Sequence, residues 1–232
     1  NLTAARDGLQ RTTTYAYDGL GRLVSVTDPR DSVTWFTYDT VGNRLSVTDP
    51  ADQTTRYAYD SLNRVVTETD PLGHDRQYTY DPVGNLTQYT DRNGRVRTFE
   101  YDALDRSIAE DWWEADDLVR RLRFTYDAVG NLISGSDADS AYAFTYDALD
   151  RVTQVDNAGT SRAPHLVLDY AYDAVGNALS VRDNLGVSVT SAYDARDLLS
   201  NRTWRGSQID LARAEFAYSA RGELTELRRF AN

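Results

Sequence analysis

Aspartate is the residue type whose number and spacing could support chemistry here, since it supplies 29 of the 36 acidic residues in a 232-residue chain. Paired carboxylates can hydrolyse glycosides, and Asp116-Asp117 or Asp137-Ala138-Asp139 could offer oxygens to calcium. However, 20 of the aspartates recur at fixed places in a repeat, and no twelve-residue calcium loop follows either cluster. We interpret them as turn residues and expect no catalytic residue, no metal site and no cofactor.

The other reactive residue types are scarce. The chain has no cysteine, which excludes thiolate metal sites and thiol nucleophiles. His74 and His165 cannot build the usual zinc constellations, and we interpret both as surface residues. A net charge of -11 argues against a nucleic-acid partner, and no apolar run approaches the roughly 20 residues of a membrane span. We predict a chain that is not an enzyme, does not bind nucleic acid and does not insert into a membrane.

The Trp112-Trp113 pair is a candidate contact site that the repeat does not predict. It lies in an insertion, Glu110 to Leu122, and adjacent residues of a strand face opposite sides. One tryptophan should therefore point away from the packed face, where it could contact a cargo or neighbouring repeats. The alternative is a longer strand that simply covers more of the sheet.

The frame for these residues is a Tyr-Asp dipeptide that recurs every 21 residues, with insertions of four or five residues after Tyr101, Tyr146 and Tyr193. A tenth copy keeps the tyrosine but has Ser219 in place of the aspartate. The copies are Tyr17-Asp18, Tyr38-Asp39, Tyr59-Asp60, Tyr80-Asp81, Tyr101-Asp102, Tyr126-Asp127, Tyr146-Asp147, Tyr172-Asp173, Tyr193-Asp194 and Tyr218-Ser219.

When the ten copies are aligned on their tyrosine, the residue types at the neighbouring positions predict a β-hairpin. An aromatic residue stands two positions before the tyrosine in nine of ten copies, which indicates a half-buried strand. We interpret these aromatics as the packed face of the sheet, with a sugar-stacking or base-stacking platform as the alternative. The fourth residue after the tyrosine is always Gly, Asn or Asp, the types that tolerate a left-handed backbone at the end of a type I turn. These residues are Gly21, Gly42, Asn63, Gly84, Asp105, Gly130, Asp150, Gly176, Asp197 and Gly222.

A second turn closes each copy, often as Asp-Pro. We place it at Asp28, Asp49, Asp70, Asp91, Asp111, Asp137, Asp156 and Asp183. Copies with Val-Gly-Asn alternate with copies that end in Arg, so the true repeat is a pair of hairpins of about 42 residues. All three insertions follow copies of the second class, which predicts that one rim carries the longer loops.

These motifs resemble the YD repeat of the Rhs/YD-repeat family, which includes Rhs polymorphic toxins, Tc-toxin shell subunits, wall-associated repeat proteins and teneurins. The resemblance runs from about Thr12 to Leu227. It implies a hairpin strip that curls into a spiral and encloses a hollow shell, holding a toxic domain in the toxin members and serving cell-surface adhesion in teneurins. Self-cleaving aspartates are not carried over, because Asp70-Pro71-Leu72-Gly73 lies inside the repeat series.

We therefore expect an all-β, antiparallel hairpin strip that forms one continuous repeat region over residues 1–232. A chain without methionine has no initiator, so we expect a fragment of a larger protein. The expected function is to form part of a shell wall around a toxin or effector cargo, in a secreted or cell-surface bacterial protein. Its partners would be that cargo or neighbouring repeats. The alternative is an adhesion or carbohydrate-binding module with a surface glycan or protein as its partner.

Overall fold

The computed structural model describes residues 1–206 and 209–231, and every regular element in them is a β-strand. The 21 strands belong to one open antiparallel sheet, which confirms the predicted all-β hairpin strip. The chain divides into two compact units, residues 1–120 and 121–232. No helix in the described ranges is long and apolar enough to cross a membrane.

In the first unit, each strand from β1 to β11 is antiparallel to the next. The strands are β1 Ala4–Arg6, β2 Thr12–Tyr17, β3 Leu23–Thr27, β4 Val33–Tyr38, β5 Arg44–Thr48, β6 Thr54–Tyr59, β7 Val65–Thr69, β8 Asp75–Tyr80, β9 Leu86–Thr90, β10 Val96–Tyr101 and β11 Ser107–Glu114.

The second unit continues the pattern, and β12 spans the division between the units. Its strands are β12 Asp117–Tyr126, β13 Leu132–Ser136, β14 Ala141–Tyr146, β15 Val152–Asp156, β16 Val167–Tyr172, β17 Ala178–Asp183, β18 Ser188–Tyr193, β19 Leu199–Gly206, β20 Ile209–Tyr218 and β21 Leu224–Ala231. Each strand here is also antiparallel to its successor.

Each repeat tyrosine sits at a β-bulge. Ala16 pairs with Ser25 but Tyr17 pairs with Leu23, so the second strand has one extra residue there. The same shift occurs at the other nine tyrosines. The bulge follows the turn and is not part of it: left-handed Gly21 donates to the Asp18 carbonyl, whereas the extra residue lies between Leu23 and Ser25, where it bends the strand and increases its twist. Each hairpin thus combines a turn of constant length with a bulge at the same place.

The sheet lacks the thick core of a globular domain. Among the described side chains, only Ala109 and Ala214 are buried apolar residues, and Ser25 and Asp111 are buried polar ones. The predicted aromatic column is half-buried in all nine copies. Cross-strand contacts such as Tyr78 on Tyr89, with ring centroids 5.4 Å apart, supply the packing. Stability therefore depends heavily on the ladder and on polar contacts at the strand ends.

The prediction of a turn at Asp111 is wrong. Asp111 lies inside β11, opposite Thr98 of β10, and is 6% exposed. The inserted residues extend the two strands instead of forming a loop, so the turn moves to Ala115, which has φ +52°. A longer ladder pairs the inserted backbone groups, which an unstructured loop would leave to water.

Candidate functional site

The Tyr-Asp turns follow one hydrogen-bond plan, and Asp60 shows it. The Asp60 N–H donates to the Arg64 carbonyl (3.0 Å), and the Asn63 N–H donates to the Asp60 carbonyl (3.1 Å). Asp60 Oδ1 accepts the N–H groups of Leu62 (2.9 Å) and Arg64 (3.0 Å). The backbone hydrogen bond from Arg64 is the largest effect on the pKa of Asp60 and lowers it, against the opposing effect of burial. The carboxylate is therefore a fixed acceptor that holds the turn closed.

All ten residues predicted to be left-handed have positive φ. Eight of them fall into two groups, and Gly21 (+78°) and Gly222 (+81°) lie between these groups. The glycines of the four Val-Gly-Asn turns have φ between +103° and +109°, whereas Asn63, Asp105, Asp150 and Asp197 lie near +60°. A side chain is tolerated near +60°, but only glycine readily adopts +105°. In the turns of Gly42, Gly84 and Gly130 the glycine N–H also donates to the aspartate Oδ1.

Within each unit, arginine links turns of the Arg class to the next Tyr-Asp turn. Arg64 pairs with Asp60 in its own turn (2.7 Å) and donates from Nη1 to the Asp81 carbonyl of the next one (3.0 Å). Its guanidinium lies 4.7 Å from the centre of the Tyr80 ring. Arg22 and Arg151 make the same contacts with the turns of Asp39 and Asp173.

Asparagine makes the alternate link. Asn43 Nδ2 donates to Asp39 Oδ2 in its own turn and to Asn63 Oδ1 in the next, both at 2.8 Å. The equivalent inter-turn bonds run from Asn85 to Asp105, Asn131 to Asp150 and Asn177 to Asp197. An amide in one turn thus requires a side-chain oxygen at the left-handed position of the next. This requirement explains why the two classes alternate.

The repeat tyrosine links neighbouring hairpins through its phenol. Tyr80 Oη donates to the Val65 carbonyl (3.0 Å), at the start of the preceding β7. The same bond is made by Tyr17, Tyr38, Tyr59, Tyr101, Tyr146 and Tyr193. The aromatic column two residues earlier contains five phenylalanines, which have no hydroxyl. The two aromatic positions therefore differ in role: one donates a hydrogen bond, and the other packs.

Two exceptions keep the plan with other residues. Leu198 stands where the linking arginine should be, and Arg196 takes over by pairing with Asp194 and donating to the Ser219 carbonyl (2.8 Å). Ser219 replaces the last motif aspartate, and its Oγ accepts the N–H groups of Arg221 and Glu223 at 3.2 Å. Sequence reasoning missed the first substitution because Arg196 lies two residues from its expected place.

The opposite strand ends carry the same aspartate turn, and we call them the second rim. Asp28 accepts the N–H groups of Arg30 and Ser32, and Asp31 has φ +62°. Sequence reasoning missed the left-handed Asp31 and Asp52, and it missed a further turn at Asp7 in which Gln10 is left-handed. The spacing of 21 residues between Asp7 and Asp28 was the available signal.

The tryptophan hairpin, β11 and β12, differs from the prediction. Both Trp112 and Trp113 are half-buried, so neither is the exposed ring that alternation suggested. Trp112 Nε1 donates to Glu110 (2.6 Å), and the guanidinium groups of Arg97 and Arg120 lie 4.3 and 5.3 Å from its ring centre. A contact role for the pair remains a prediction.

In the described part of the chain, no group of three or more His, Asp or Glu side chains is placed to hold a metal ion. The turn aspartates direct their oxygens at backbone N–H groups and at Arg or Asn side chains. His74 and His165 are both 56% exposed, which confirms the surface prediction.

Comparison with known proteins gives a family and a set of similar folds. The profile of the RHS Repeat family matches residues 1–33, 38–75, 80–110 and 126–162, more than half of the chain. No curated protein matches the sequence. In fold, the chain is similar to the Tc holotoxin pore of Photorhabdus luminescens, with a TM-score of 0.62 and 16% identity over 93% of this chain and 15% of that chain.

The complex TcdB2-TccC3 is similar too. Without the hypervariable C-terminal region it gives a TM-score of 0.65 and 16% identity, over 95% of this chain and 15% of that one. A further TcdB2-TccC3 structure gives 0.63 and 15% identity, over 94% and 16%. At this identity the likeness shows a shared fold, and the present chain spans about 15% of the length of the chains it matches.

Proposed function

The chain belongs to the RHS Repeat family, and from this premise we propose that it is a structural, non-enzymatic module of a shell wall. In this proposal the wall encloses a polypeptide cargo, a toxin or effector, in an exported bacterial protein. The partners of the strip are the cargo on one side and further repeats at its ends.

The observation that carries the proposal is the recurrence of the inter-turn links. Within each unit, Arg or Asn side chains link one Tyr-Asp turn to the next, and phenols join consecutive hairpins. A binding module needs a few convergent groups in one place. A wall needs the same contact at every step, since each hairpin touches mainly its neighbours. The residues that recur most regularly in this chain make the repeated contacts that a wall needs.

The adhesion alternative has less support in the geometry. Sugar stacking needs an accessible aromatic face, and the Trp112 ring already lies beneath two guanidinium groups. The half-buried aromatic column packs across strands instead of forming an open platform.

Limited proteolysis of the native protein that contains this strip tests containment. We expect a polypeptide segment outside the repeats to resist proteinase K while the strip is folded, and to be digested once the strip is unfolded. A control digestion of that segment, expressed alone, gives its intrinsic lability. If the segment is cut at the same rate inside and outside the native protein, it is not enclosed and the proposal fails.

A further inference from the structure

A groove in the first unit gathers arginines in a chain that is otherwise strongly acidic. One depression of about 570 Å³ is lined by Arg76, Arg92, Arg95 and Arg97, together with His74. Asp91 is the single carboxylate of that lining, whereas the whole chain has a net charge of -11. Arginine side chains in such a depression attract an anion where a neighbouring carboxylate does not already neutralise them. The groove is therefore a candidate site for an anionic group.

The arginines are unequally paired. Glu68 accepts both Arg76 (3.1 Å) and Arg92 (2.6 Å), Asp70 also pairs with Arg92 (3.1 Å), and Asp91 pairs with Arg95 (2.7 Å). Arg97 is held less closely, because Glu110 lies 3.7 Å from its Nη1, which is beyond hydrogen-bonding distance. Glu110 is itself bonded to Trp112 Nε1. Arg97 is 46% exposed, so its N–H donors face solvent and can take a carboxylate from outside.

The arginine depression continues into an apolar one. A second depression, of about 180 Å³, shares Tyr89, Asp91, Arg95 and Arg97 with the first. Its remaining lining is Val96, Trp112, Trp113 and Val119, with the carboxylate of Glu114 beside them. The arginine-lined surface and the surface formed by the tryptophans and valines therefore meet at Arg97.

We propose that this groove, formed by Arg76, Arg92, Arg97, Trp112, Trp113 and Val119, binds an acidic peptide segment that carries an apolar side chain next to its carboxylates. The carboxylates pair with the arginines, and the apolar side chain packs on Val119 and the edges of the tryptophans. A sugar fits less well, because the stacking face of Trp112 is covered by Arg97 and Arg120 and its indole N–H is already donated. The proposal goes beyond containment and does not depend on it.

Titration of the full chain with a blocked peptide of sequence Glu-Glu-Phe-Glu-Glu tests the site, followed by tryptophan fluorescence and calorimetry. We expect saturable binding that weakens as salt is raised, because the contact is ionic and exposed. Arg97→Gln should weaken binding at least about tenfold. The matched control is Arg205→Gln, which removes an exposed arginine from a depression of the second unit lined by Arg182 and Arg205 without any aromatic residue. It should leave the affinity unchanged.

Three further probes decide the class of ligand. A peptide with Lys in place of Glu should not bind, and one with Gly in place of Phe should bind several-fold more weakly. A heparin-derived oligosaccharide that binds more tightly than the acidic peptide would overturn the proposal in favour of an anionic glycan. Equal losses for Arg97→Gln and Arg205→Gln, or the absence of saturable peptide binding, would also overturn it. Circular dichroism of each variant establishes that it is folded.

Discussion

The two rims of the strip are built from one turn but are connected differently. On both rims an aspartate accepts backbone N–H groups and a left-handed residue completes the turn. On the Tyr-Asp rim of each unit, arginines, asparagines and phenols make recurring links from one turn or hairpin to the next. On the second rim, in the described part of the chain, contacts between turns are irregular, such as Arg92 with Asp70 (3.1 Å).

This difference explains where the chain tolerates insertions. Extra residues lengthen β11 and β12, and a loop of residues 157–166 joins β15 to β16, both at the second rim. The third insertion lengthens β19 and β20 at the same rim, and residues 207–208 between them lie outside the described residues. A recurring link requires constant spacing between turns, so a longer turn would break it. The insertions lie at one rim as predicted, but of the predicted longer loops the described residues show residues 157–166 only, because the first insertion extends β11 and β12 instead.

Acid should have the largest effect, because it acts on every turn at once. The pKa is lowered for all nine motif aspartates, for instance in Asp102 by the side-chain hydrogen bond from Arg106 and in Asp60 by the backbone hydrogen bond from Arg64. A carboxyl with a lowered folded pKa stabilises the fold above its unfolded pKa, and that contribution is lost as pH falls through the folded value. We expect the urea midpoint to be steady near neutral pH and to collapse below about pH 4.

NMR titration of the aspartate carboxyls tests whether the turns of the Tyr-Asp rim depend on ionised carboxylates. Asp60 and Asp102 should titrate below the ordinary value of 3.8. An Asp60→Asn variant, which keeps the size of the side chain, should lose part of the acid sensitivity. Midpoints at or above 3.8 for the motif aspartates would show that the turns do not depend on ionised carboxylates.

The glycine of a Val-Gly-Asn turn should be the next most sensitive feature. Gly84 has φ +109°, and Asn at that angle would be strained by about 1–3 kcal/mol. Gly94 on the second rim has φ +78°, where Asn is tolerated, and nothing lies within 4 Å of a Cβ added there. Gly84→Asn should therefore lower the free energy of unfolding by that amount, while Gly94→Asn changes it by less than about 0.5 kcal/mol. Equal losses of stability for Gly84→Asn and Gly94→Asn in urea denaturation would contradict the distinction between these two backbone angles.

Sequence reasoning reached the hairpins and turns because they depend on neighbours close in the chain. Short stretches of sequence were enough to predict the left-handed positions, the strand that carries the aromatic residues and the alternation of the Val-Gly-Asn and Arg classes. The links could not, because Asn43 reaches Asn63 across 20 residues and Tyr80 reaches Val65 across 15. The proposed groove at Arg97 was hidden for a related reason, because Arg97 of β10 meets Trp112 of β11 only in the folded sheet.

Removing one arginine link should have a smaller effect than the glycine change. Arg64→Met deletes the bond to the Asp81 carbonyl, the contact with Tyr80 and the pair with Asp60. We expect a loss of roughly 1–2 kcal/mol, since a hydrogen bond from a charged group and a cation–π contact are lost together. Arg95→Met on the second rim removes only the pair with Asp91, at a side chain that is 56% exposed, and should cost a few tenths of a kcal/mol. Equal losses would mean that the inter-turn link adds nothing to the turn itself.

The smallest effect should come from one phenolic oxygen, and it separates the two aromatic columns of a single strand. Tyr80→Phe leaves the Val65 carbonyl without its donor, which should cost about 0.5–1.5 kcal/mol. Tyr78→Phe, two residues earlier in β8, keeps the ring that packs on Tyr89 and stands in a column that holds phenylalanine in five copies. Its free energy of unfolding should change little, and hydrogen exchange at the start of β7 should rise only in Tyr80→Phe. We expect this order because only a hydroxyl at the rim can reach the carbonyl beside each bulge. A larger loss of stability for Tyr78→Phe than for Tyr80→Phe would contradict the linking role assigned to the repeat tyrosine.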